Sequence, residues 1–194
     1  MRWVIILLLA LLVEPARAQD AGPFGLTWGM PRAQAIAAGV QLQELVLSAE
    51  GPMSVATKLP RGLPEFASAQ LYFGSDDRLW RVFVFSKDWN SDNSGLQVRT
   101  RIDELIGIIS KRYGPAKLYD SSADQGFLAE PDQFAYSISI NRRIYGASWD
   151  MDALYIEIKA QAEALNTYYV IDYENKPLGL KARADIKSNE EGAF

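Results

Sequence analysis

Between Ser94 and Pro115 the chain carries the pattern that most constrains its fold. Val98, Ile102, Leu105, Ile106, Ile109 and Tyr113 recur at three- and four-residue spacing. That spacing lines one face of an α-helix with apolar side chains. Ser94 with Gln97 three residues later reads as a capping box, Gly114 as the left-handed residue past the last turn, and Pro115 as the stop. A helix with one apolar face must bury it, and strand-like segments lie on both sides. The stretch therefore predicts a helix packed on a sheet built from both halves of the chain.

The flanking segments carry strand periodicity. Residues 69–73 and 79–86, joined by Gly74-Ser75-Asp76-Asp77, predict a hairpin. Trp80, Val82 and Val84 fall on one face, Phe83 and Phe85 on the other, as in a central strand covered twice. Upstream, Pro31 and Gly39 bracket a short helix, and residues 42–47 and 55–59 predict strands around Gly51-Pro52. Downstream of a polar link at 119–126, four further strands are expected. Phe134, Tyr136, Ile138 and Ile140 alternate with smaller residues, and residues 144–149 return after the turn Asn141-Arg142-Arg143. Leu154, Ile156 and Ile158 then alternate with Tyr155, Glu157 and Lys159, and Tyr169, Ile171 and Tyr173 with Tyr168, Val170 and Asp172. Short links imply antiparallel neighbours. The expected fold is a single α+β domain over residues 19–175: an antiparallel meander sheet of six or more strands with two helices packed on one face. A flexible tail is expected over 176–194, which is polar and lacks a sustained period. The order helix, strands, helix, strands suggests a distant duplication.

Arg2, the apolar residues 3–13 and Ala16-Arg17-Ala18 predict a signal peptide over residues 1–18 and a periplasmic or secreted mature chain. Glu14-Pro15 ends the apolar run short of the roughly 20 residues a membrane span needs. The chain has no cysteine, which excludes disulfides and a lipid-bearing cysteine. With a net charge of −4 and no Lys/Arg cluster, it lacks the electrostatic footprint of a nucleic-acid binder. The same deficit argues against an anionic membrane surface.

The catalytic inventory is short. Without histidine or cysteine, a Ser-His-Asp triad, a cysteine nucleophile and His or Cys metal ligation are impossible. Neither a phosphate-binding glycine loop nor a Ser-x-x-Lys occurs. Carboxylates remain: Glu130, Asp132, Asp150, Asp152 and Glu157 leave open a hydrolase of envelope glycans. Asp88, Asn90 and Asp92 match positions 1, 3 and 5 of a calcium loop, but Arg99 stands where the bidentate glutamate belongs. The other reading is a polar turn feeding the helix. Trp28, Trp80, Trp89 and Trp149 read as packing residues in preference to a sugar-stacking platform. If the helices cover the Leu154–Ile158 face, Tyr155, Lys159, Tyr168 and Val170 share the opposite one, a candidate partner-binding surface. The tail or the segment 42–47 could equally cover it. The expected function is a non-catalytic interaction module without cofactor, binding an envelope protein or acting as an inhibitor or immunity-type binder. A calcium-stabilised binder stays open beside it.

Several features stand together: Leu59-Pro60-x-x-Leu63-Pro64-x-Phe66, the hairpin Tyr72…Leu79-Trp80-Arg81-Val82, the Lys87-Asp88 loop and the ending Tyr113-Gly114-Pro115. Between Phe24 and Glu174 they resemble a group of secreted bacterial proteins with no assigned function. The Gly29-Met30 opening with its short helix resembles, more weakly, small envelope modules of the BamE type. Those carry a lipid-bearing cysteine, absent here, and a Thr or Ser where Pro31 stands. The resemblance implies a fold and no activity.

Overall fold

A computed structural model describes residues 21–48, 50–122 and 126–191; the expected signal peptide lies outside them. The elements run α1 (Arg32–Ala37), β1 (Gln41–Ser48), β2 (Gly51–Lys58), β3 (Phe66–Phe73), β4 (Leu79–Ser86) and α2 (Leu96–Tyr113). There follow β5 (Lys117–Ser122), α3 (Phe134–Ser139), β6 (Arg143–Asp150), β7 (Leu154–Glu163), β8 (Asn166–Asn175) and α4 (Lys176–Glu191). The strands form one eight-stranded antiparallel sheet in the order β1-β2-β3-β4-β8-β7-β6-β5. Two four-stranded meanders, each preceded by a helix, thus join through the central pair β4 and β8.

The amphipathic pattern of α2 does what its spacing predicts. Val98, Ile102, Leu105 and Ile109 are buried and meet Ile156, Ile158, Tyr169 and Ile171 in one core. Strand alternation sends the same faces of β3 and β4 (Leu71, Phe73, Val82, Val84) into that core. Leu26, Trp28, Met30 and Ala35 extend it towards the start of the described chain.

Three expectations are corrected. Residues 134–140 form no strand. Phe134 and Ile138 lie one helical turn apart and both enter the core, and the hydroxyls of Ser137 and Ser139 donate to the carbonyls of Phe134 and Tyr136. Alternation of period two and a one-turn helix place the same pair inward over so short a run. The polar link 119–126 begins inside edge strand β5, whose partner is β6. Residues 176–191 are the helix α4 where a flexible tail was expected. Gly179 lets this helix approach Trp80, where an added Cβ would stand 2.9 Å from the indole. Of the two expected helices, α1 contributes Ala35 and α2 contributes Val98, Ile102, Leu105 and Ile109 to the core, where α3 also packs; the unexpected helix α4 lies on the other face, over one end of β2, β4 and β8.

Candidate functional site

The sheet face opposite α2 is assembled by register. Lys159 pairs with Val170, Gln161 with Tyr168, Glu157 with Asp172 and Tyr155 with Glu174 across β7 and β8. Phe85 pairs with Val170 and Phe83 with Asp172 across β4 and β8. Directly paired residues of an antiparallel ladder point to the same side. Tyr155, Lys159, Tyr168 and Val170, the residues picked from sequence, are therefore brought onto one face. Three of them are half-buried, while Val170 is only 3 % exposed, walled in between its neighbours. Phe83 and Phe85, read from sequence as covered, are half-buried too, with ring centroids 5.0 Å apart.

Coverage of this face is uneven. At the end formed by Trp80 and Glu174, α4 closes it: Arg183 lies 5.0 Å over the Trp80 ring and pairs with Glu174. A bulge causes this. Phe73 pairs with Leu79 and Tyr72 with Arg81, so Trp80 is the extra residue and shares a face with Arg81 rather than with Val82. Phe85, Val170, Tyr168 and Lys159 lie at the opposite end.

Charges on the face are paired internally. The Arg81 guanidinium donates to both Asp172 oxygens, at 2.8 and 2.7 Å, and also pairs with Glu50. Burial pushes the Asp172 carboxyl above its ordinary value while Arg81 pulls it down. Lys159 pairs with Glu157 at 2.9 Å, and the Tyr119 hydroxyl donates to Glu157 at 3.0 Å. Burial, with the charge of Glu157 beside it, pushes the Tyr155 hydroxyl up to about 12. The rest of the face is aromatic surface, with Phe83, Phe85 and Tyr168 half-buried.

The calcium candidates differ in burial and partners. Asp92 is 4 % exposed and is a helix cap: its carboxylate accepts the N–H groups of Gln97 (3.2 Å) and Val98 (3.1 Å) and the Thr167 hydroxyl (2.7 Å). Asp88 and Asn90 are exposed. Among the described residues no cluster of three carboxylates could hold a metal. Of the carboxylates marked for catalysis, Asp150 pairs with Lys176, Glu157 with Lys159, and Glu130, Asp132 and Asp152 are exposed. Trp28, Trp80 and Trp149 are buried, and Trp89 stacks on Tyr169 at 5.9 Å. Sequence reasoning missed Phe83, Phe85 and the Arg81–Asp172 pair. A buried aspartate at an outward strand position was the available signal, but only the register shows that an arginine answers it.

Comparison of the chain with family models, curated proteins and solved structures finds no match in any of the three. No helix among the described residues is long and apolar enough to cross a membrane.

Proposed function

We propose that the chain is a non-catalytic, periplasmic or secreted protein-interaction module that binds an envelope partner, or an enzyme it inhibits or neutralises, through the open end of this sheet face. The observation that carries the reading is the strip Phe83, Phe85, Tyr168 and Lys159 around Val170, on a rigid eight-stranded sheet, beyond the reach of α4. Aromatic side chains with few rotatable bonds and charges already neutralised are what an interface core uses. The hydrolase reading has one supporting fact, that Glu157 and Asp172 are cross-strand neighbours. Against it, Arg81 donates to both Asp172 oxygens and the residue is 5 % exposed, a carboxylate held in an ion pair instead of facing solvent.

Cross-linking capture from bacterial envelope extract tests the proposal, with wild type beside Phe85→Ala/Tyr168→Ala and folding checked by circular dichroism. The expected result is one protein captured by wild type and weakened roughly tenfold or more in the variant. Equal capture by a folded variant places the interface elsewhere and contradicts the proposal.

A further inference from the structure

On the far side of the molecule, three cavities meet at Arg112. The largest, of about 400 Å³, is lined by Arg61, Arg112 and the backbone around Phe24 and Gly25. The second, of about 300 Å³, is lined by Arg112 with Trp28, Tyr113, Met151 and Leu154. A third, of about 140 Å³, lies between Phe24, Ile109, Tyr113 and Tyr173. Among the described residues, no aspartate or glutamate lines any of the three. In a chain of net charge −4, two guanidiniums on one cavity with no carboxylate among its described lining residues are a local reversal of sign. Arg112 sits in the last turn of α2, where a cation complements the carbonyl end of the helix. That explains one arginine, but not Arg61 reaching the same cavity from the loop before β3.

The backbone is shaped to hold the cavity open. Phe24 (φ 55) and Gly25 (φ 83) are consecutive left-handed residues. A Cβ on Gly25 would press on Pro60 and Arg61 at 3.2 and 3.3 Å. The turn sends the Phe24 ring edge-on against Tyr173, at 5.7 Å, so that it borders both the polar and the smallest cavity. Cationic and apolar walls therefore adjoin, with Arg112 shared.

We propose that this is a binding site for a small amphiphile. Arg61 and Arg112 hold its anionic headgroup, a carboxylate or a phosphate monoester, and Trp28, Tyr113, Met151 and Leu154 hold its apolar body. Guanidiniums suit both headgroups through paired N–H donors. The site is independent of the open sheet face.

The test titrates the full chain with sodium decanoate, decyl phosphate and uncharged decanol, each below its micelle concentration, reading tryptophan fluorescence and Tm. One anion or both should bind saturably and raise Tm, and the stronger of the two identifies the headgroup. Binding should fall roughly tenfold or more in Arg112→Gln and in Arg61→Gln, and should weaken in wild type as sodium chloride is added. The salt series keeps the test decisive if a variant folds poorly. No saturable binding by either anion, decanol binding as tightly as the anions, or an affinity indifferent to both salt and the arginines would overturn the proposal.

Discussion

Asp92 shows how much one side chain contributes to the structure of a loop. The loop Asp88–Ser94 has the oxygen-rich look of a cation site, yet the Asp92 carboxylate is spent on the first turn of α2 and on Thr167 of β8. Trp89 completes the arrangement by pairing its backbone with Thr167 in both directions, at 2.7 and 3.0 Å. One carboxylate thus ties the start of the core helix to a central strand through three accepted hydrogen bonds. Asp92→Ala should cost about 2 kcal/mol, the loss of a helix cap plus a buried hydroxyl left without its acceptor. Urea unfolding measures this. A further expectation is that calcium does not change the wild-type Tm; a rise with calcium but not magnesium would return the loop to the cation reading.

Among elements, the docking of α2 is held by Glu65, just before β3. Its carboxylate accepts Arg101 of α2 at 2.6 Å and the Tyr169 hydroxyl of β8 at 2.5 Å. Burial alone would raise the Glu65 carboxyl, but the hydrogen bonds from Arg101 and Tyr169 outweigh it and hold the group below its usual range. A carboxyl whose folded value is depressed contributes stability that is present above its unfolded value, near 4.5, and is lost as pH falls through the folded value. Glu65→Gln should therefore lower stability by about 1–3 kcal/mol at neutral pH and flatten the acid limb of the stability profile below pH 4.5. A variant with an unchanged acid limb would remove Glu65 from the account.

The elements also show what was legible in advance. The α2 face, the hairpin of β3 and β4 and the inward alternation of β7 and β8 were readable because each repeats its period over enough residues to exclude the other. Residues 134–139 are too few for that. The start of α2 misled for a different reason. Its first turn is capped by Asp92, and Gly95 stands where an added Cβ would come within 2.0 Å of the Phe134 ring. That contact between segments distant in sequence is invisible to a local capping pattern. Helix α4 was missed because its fit rests on Gly179 against Trp80, a close approach that periodicity does not encode.

For the whole molecule, the decisive feature is asymmetry between the two sides of one sheet. The core side is closed by α2 and α3 with the segment from Leu26 to Ala35, and among the described residues the other side is closed by α4 at one end. The four residues picked from sequence reached a common face because their alternation was correct. Which end of that face stays open depended on α4 and on the bulge at Trp80, and neither was legible. The first half is a helix and four strands, the second a helix and four strands with α3 inserted between β5 and β6, and the halves join at β4 and β8.

The most direct test of the account places a photo-cross-linking benzophenone amino acid at the position of Phe85, and separately at that of Ile108, which is 57 % exposed on α2. Each protein is then irradiated in envelope extract. The account predicts a single discrete protein adduct from position 85 and none from position 108. The same adduct from both positions, or an adduct from position 108 alone, would contradict an interface on the open sheet face.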